Sequence, residues 1–86
     1  MRVSRTERFK KSWDKLNDED RALARKAIGK LVMNMHYPSL RVKKIQGAGD
    51  IWEARASRSL RITFQLGADE IILRNIGQHD SALGNP

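Results

Sequence analysis

The sequence predicts an α+β fold, with two N-terminal helices packed on one face of a three- to four-stranded antiparallel sheet. Three observations predict it. Apolar residues recur at helical spacing up to Tyr37-Pro38 and at every second position after it. The segments after Pro38 are separated by short Gly-, Asp- and Ser-containing turns, as a meander requires. The chain has 86 residues, enough for one domain and one core, which places a single domain over 1–86.

The start, "MRVS", is short and could form an edge strand. In "TERFKKSWDKL" the residues Phe9, Trp13 and Leu16 stand at i, i+4 and i+7, one face of a helix. "NDED" interrupts that pattern: Asn17 or Asp18 can cap a second helix, whose start the following acids favour. That helix, "DRALARKAIGKLVMNMH", carries a core stripe of Leu23, Ala27, Ile28, Leu31 and Met35. Gly29 weakens it by about 1 kcal/mol relative to Ala, which suggests close packing at that point. Tyr37-Pro38 is expected to end it.

Strands are expected at "LRVKKIQ", "IWEARAS", "SLRITFQL" and "IILRNI", joined by "GAGD", a tight reversal near residues 57–59, and "GADE". In the third, Leu60, Ile62, Phe64 and Leu66 point one way and Arg61, Thr63 and Gln65 the other. In the second, Trp52, Ala54 and Ala56 oppose Glu53, Arg55 and Ser57. The helices would cover the apolar face and leave a charged face open.

Cysteine is absent, which excludes disulfides and thiolate metal sites and suits a reducing compartment. No apolar run approaches the roughly 20 residues of a membrane span, and "MRVSRTERFKKSW" has no secretion-signal character, so a cytoplasmic protein without membrane contact is expected. Lys and Arg number 17 against 10 Asp and Glu, a net charge of +7. Residues 41–65 concentrate six of these cations (Arg41, Lys43, Lys44, Arg55, Arg58, Arg61) against two acids, Asp50 and Glu53. Such a field attracts phosphate or an acidic protein. No Gly-rich phosphate loop and no HExxH motif occur, and the two histidines lie far apart in sequence, so neither a cofactor nor a metal is expected.

If "IWEARAS" and "SLRITFQL" form a hairpin, Glu53, Arg55 and Arg61 share the uncovered face, and the last strand delivers His79 and Asp80 at its exit. Cations, a carboxylate and an imidazole around a concave sheet are what RNA cleavage without a metal requires. A base takes the 2′-hydroxyl proton, an arginine stabilises the phosphorane, and an acid protonates the departing 5′-oxygen. Histidine suits the acid or the base role because its ordinary pKa lies near working pH. Lys43 and Lys44, with Arg55 and Arg58, are the expected RNA contacts.

Taken in order, "LRVKKIQGAGDIWEARASRSLRITFQL" resembles an "L-K-x-L-x-G … W-x-x-R … x-x-R-h-x-Y/F" run, where h is apolar, and "IILRNIGQHD" resembles a terminal strand with a "G-x-H/R" exit. These are features of toxins of the RelE/ParE superfamily, from bacterial type II toxin–antitoxin modules, and the likeness spans nearly the whole chain. The RelE-like branch implies a ribonuclease that enters the ribosomal A site, cuts mRNA without metal, and is neutralised by an acidic antitoxin. The resemblance makes Arg61 a transition-state stabiliser and His79 the acid. Some relatives carry a glutamate base before the basic strand, where Leu40 stands here, and many carry a tail tyrosine, where this chain has Asp80. The base role therefore falls to Glu53 or Asp80. Two other readings of the same resemblance are a ParE-like inhibitor of DNA gyrase and an inactive binding module of the same fold.

Overall fold

The structure is a computed structural model, and it describes residues 1–47, 49–79, 82 and 86. In chain order it contains β1 (Arg2–Arg5), α1 (Glu7–Asp14), α2 (Asp18–Met33), a 3-10 turn (Pro38–Leu40), β2 (Lys43–Lys44), β3 (Ile51–Arg55), β4 (Leu60–Gly67) and β5 (Glu70–Gln78). The expectation of an α+β fold with two helices before the sheet holds. The sheet differs from the one expected: it has five strands in the order β1-β5-β4-β3-β2, and it is mixed. β2 to β5 form the antiparallel meander, but β1 lies parallel to β5, with Val3 opposite Ile71 and Arg5 opposite Leu73. The meander leaves one edge of β5 unpaired, and the N-terminal segment fills it. Arg2 N–H donates to the Asp69 carbonyl and Thr6 N–H to the Leu73 carbonyl, which fixes the register at both ends.

Each helix starts where a side chain accepts from its first turn. Thr6 Oγ1 accepts from Phe9 N–H at 3.1 Å, and Asn17 Oδ1 accepts from Asp20 N–H at 2.8 Å. Three acids in the first turn of α2, Asp18, Glu19 and Asp20, favour the positive end of its dipole. Arg21 holds the helices together by donating from Nε to the Trp13 carbonyl, which also accepts from Leu16 N–H, and from Nη2 to the Asp14 carbonyl at the end of α1. The second helix ends at Met33, ahead of Tyr37-Pro38, because the backbone turns extended at Asn34.

The core is one cluster. Phe9 from α1 and Ala24, Ala27 and Leu31 from α2 pack with Leu40, Ala54, Leu60, Ile62, Phe64, Ile71, Leu73 and Ile76. α1 lies against β5, and α2 against β3 and β4. Each large side chain fully buried here contributes roughly 1.5–3 kcal/mol relative to exposure. Ala24 belongs to the buried stripe of α2, while Leu23 is only half-buried. Gly29 is exposed, and a Cβ placed there would meet nothing within 4 Å, so the close packing expected at that glycine is not present.

One irregularity in β5 decides what the sheet presents on its other face. Thr63 pairs with Asn75 but Phe64 pairs with Leu73, so Arg74 is an extra residue, a β-bulge. Before it, the odd-numbered Ile71 and Leu73 face the core; after it, the even-numbered Ile76 does. The bulge therefore turns Gly77, opposite Arg61, to the outer face, and His79 after it. Thr6 secures this point, because its hydroxyl donates to the Arg74 carbonyl at 2.7 Å while capping α1. The outer face is not fully open, as had been expected. Thr63 is completely buried, and its hydroxyl donates to the Pro86 oxygen at 3.2 Å; Arg74 Nε donates to the same oxygen at 3.3 Å. The chain's end thus lies over the middle of the outer face.

Candidate active site

Beside that covered centre the outer face forms a cleft of about 240 Å³, lined by Arg41, Lys43, Glu53, Arg55, Arg61 and His79. The strand register explains its composition. Glu53 and Arg55 alternate with the buried Ala54 on β3, and Arg61 sits directly across from Arg55 on β4. Lys43 lies opposite Glu53 on β2. His79 enters from the end of β5, where its N–H donates to the Ser59 carbonyl at 2.8 Å and ties the β5 exit to the β3–β4 turn.

Ser57 organises that turn. Its Oγ accepts from Leu60 N–H, and its carbonyl accepts from Arg55 Nε at 3.2 Å and from Arg61 Nη1 at 2.9 Å. The same Arg61 nitrogen also lies 3.2 Å from the carbonyls of Arg58 and Leu60. Backbone carbonyls therefore position the Arg61 guanidinium, and no carboxylate among the described residues forms an ion pair with Arg41, Arg55, Arg58 or Arg61. The Arg55 pKa is lowered from the ordinary arginine value, first by desolvation and then by repulsion from Arg41, Arg61 and Arg58. Four arginines that repel one another, none of them ion-paired among the described residues, are arranged to receive an anion from outside.

Glu53 is the acid of the cleft. It is 5% exposed, and its Oε1 lies 3.4 Å from Lys43 Nζ, whose side chain is largely in solvent. A buried carboxylate beside an exposed ammonium can accept a proton or orient a hydroxyl. Among the described residues no group of three metal-ligating side chains occurs.

Of the expected site residues, the structure brings Arg61, His79, Glu53, Lys43 and Arg55 into this one cleft. Lys44 lies outside it: it pairs in register with Trp52, on the core side of the sheet, and forms an ion pair with Asp50 at 3.4 Å. Arg58 is exposed on the β3–β4 turn and does not line the cleft, although its charge reaches Arg55. Asp80 lies outside the described residues. Arg41 lines the cleft and was not among the residues expected there. Strand alternation does not find it, because Arg41 precedes β2 and has a left-handed backbone.

Two of the larger grooves, of about 370 and 340 Å³, lie between the helices and the β1–β5 side of the sheet. The second is lined by Val3, Phe9, Trp13, Ile28 and Leu73 with Arg5 and Arg25. Neither is lined by a histidine among the described residues, so acid–base chemistry points to the smaller cleft.

No helix among the described residues is long and apolar enough to cross a membrane. No family model matches the chain, and no curated protein matches it. Solved structures do. A chain of the RelB–RelE antitoxin–toxin complex from Methanococcus jannaschii superposes with a TM-score of 0.73 at 22% identity, covering 92% of this chain and 93% of that one. The YoeB/ParE toxin from Agrobacterium tumefaciens gives 0.78 at 10% identity, covering 92% and 99%. A chain of the intact E. coli RelBE toxin–antitoxin complex gives 0.71 at 19% identity, covering 90% and 94%. With its helical hairpin laid on a mixed five-stranded sheet, this chain has the fold of the RelE- and ParE-type toxins.

Proposed function

We propose that this protein is the toxin of a type II toxin–antitoxin module of the RelE/ParE superfamily, and that it is an endoribonuclease that cuts mRNA in the ribosomal A site without a metal. The observation that carries this reading is the cleft where Arg61 and Arg55, without carboxylate partners among the described residues, stand with Glu53 and His79. In this mechanism the arginines hold the scissile phosphate, and Arg61 offsets the additional charge of the phosphorane. Glu53 withdraws the 2′-hydroxyl proton and His79 protonates the departing 5′-oxygen, each step contributing roughly 10²–10⁴-fold. Asp80 remains a second candidate for the base. The ribosome supplies what so small a site lacks, by holding the RNA bent for in-line attack.

The partner in this reading is an acidic antitoxin, for which the similar structures solved as toxin–antitoxin complexes are the precedent. Carboxylates laid against the arginine cleft would neutralise it and make the complex tight. The distinguishing experiment is a cell-free translation assay run beside a gyrase supercoiling assay. Loss of intact mRNA with unimpaired supercoiling is the expected outcome. Inhibited gyrase with intact mRNA would replace this reading with that of a gyrase binder, and soluble protein active in neither assay would leave a binding module.

A further inference from the structure

Arg41 has a left-handed backbone, φ 46° and ψ 47°, at the exit of the 3-10 turn. Non-glycine residues adopt this region at a cost, and outliers of this kind concentrate at functional sites. The surroundings hold it there: Leu40, immediately before, is 1% exposed in the core, and Arg41 N–H closes the turn onto the Pro38 carbonyl at 3.3 Å. Glycine or asparagine would satisfy the backbone more readily, yet the position carries a long cation directed to the cleft.

Arg41 precedes β2 and stands outside its ladder, but it lines the same cleft as Arg55, and its charge is the foremost of the repulsions that act on Arg55. Arg55 pairs with Arg61, and Arg61 with Gly77. Arg41, Arg55 and Arg61 therefore stand together along one cleft, with His79 beside them. At a strand spacing of about 4.8 Å, the span from Arg55 on β3 to the β5 exit is roughly 10 Å, more than a single phosphate group can fill.

We propose that Arg41, beside Arg55, forms a second phosphate subsite next to the one that Arg55, Arg61 and His79 make at the scissile group, so that the cleft binds two consecutive phosphodiesters of a single-stranded RNA. This rests on the ribonuclease reading above and deepens it: one phosphate is the reacting group, and the neighbouring one sets the strand's direction across the sheet. Repulsion within the cleft is then relieved by two anionic charges rather than one.

The test uses the full chain and two non-cleavable probes, 2′-O-methyl UpU with one phosphodiester and 2′-O-methyl UpUpU with two. The variants Arg41→Asn and Arg41→Gly both suit a left-handed backbone, so each is expected to unfold at a denaturant concentration equal to or above that of the wild type. The wild type should bind UpUpU about tenfold more tightly than UpU, the effect of one additional charged hydrogen-bonded contact. Both variants should erase that advantage, so that UpUpU and UpU bind alike, and their salt dependence with UpUpU should flatten by about 0.7 in log–log slope. An advantage that persists in folded Arg41→Asn overturns the second subsite and leaves the ribonuclease reading intact. A wild type that binds UpUpU no more tightly than UpU, or binds neither probe, also overturns the second subsite, whereas the ribonuclease reading falls only if mRNA stays intact in the translation assay.

Discussion

Arg55 and Arg61 face each other directly across β3 and β4, and both guanidinium groups donate to one oxygen, the carbonyl of Ser57. Like charges directly opposite on a sheet face destabilise it. The arrangement is therefore costly in the free protein and becomes favourable when an anion lies between the two groups. Adding inorganic phosphate or sulfate should raise the melting temperature by several degrees at concentrations well above its Kd. Arg61→Gln should abolish that increment while leaving the anion-free melting temperature equal or higher. An anion response that survives Arg61→Gln would place the anion elsewhere.

Thr6 performs two tasks with one hydroxyl, accepting from Phe9 N–H to start α1 and donating to the Arg74 carbonyl at the bulge. Thr6→Ala should cost about 1–2 kcal/mol in urea unfolding, and Thr6→Ser should recover most of it. Because the bulge turns His79 towards Arg61, Thr6→Ala should also slow RNA cleavage under conditions where the variant is still folded. Unchanged stability would show that the cap and the tether are not made in solution.

Gly29 is an exposed helical glycine with open space where a Cβ would stand. Gly29→Ala should stabilise the fold by up to about 1 kcal/mol, read as a higher urea midpoint with an unchanged slope. A lower midpoint would mean that a partner or a neighbouring segment approaches the helix at that point.

Glu53→Gln keeps the shape and the burial of the side chain but removes its capacity to accept a proton. Cleavage by the variant should fall roughly 10²–10⁴-fold, with the circular dichroism spectrum and RNA affinity preserved. If Glu53→Gln cleaves at the wild-type rate, the base is another group, with Asp80 the next to substitute.

Much of this was legible in the sequence, for identifiable reasons. Strict alternation in "IWEAR" and "SLRITF" fixed which side chains share the outer face, so Glu53, Arg55 and Arg61 could be grouped before any coordinates. The bulge could not be foreseen, because "IILRNIG" carries apolar residues in both parities and no glycine or proline marks the extra residue at Arg74. Regular alternation through that strand would have sent position 79 to the same side as Ile71 and Leu73, the core side. The parallel pairing of β1 was equally hidden. "RVSR" holds a single apolar residue, and its pairing is decided by the open edge of β5, more than 60 residues later in the chain. Arg41 fell inside the expected strand "LRVKKIQ", but the strand starts only at Lys43 and the backbone at Arg41 is left-handed, so alternation could not assign its side.

The central claim is that the Arg61–His79 cleft breaks RNA, and mapping the 5′ ends of cellular transcripts after induction tests it most directly. Wild-type protein should generate new 5′-hydroxyl ends within translated regions, and Arg61→Ala and His79→Ala, each soluble and folded, should generate none. New ends at undiminished frequency in both variants, or growth arrest by the wild type with no new ends at all, would contradict it.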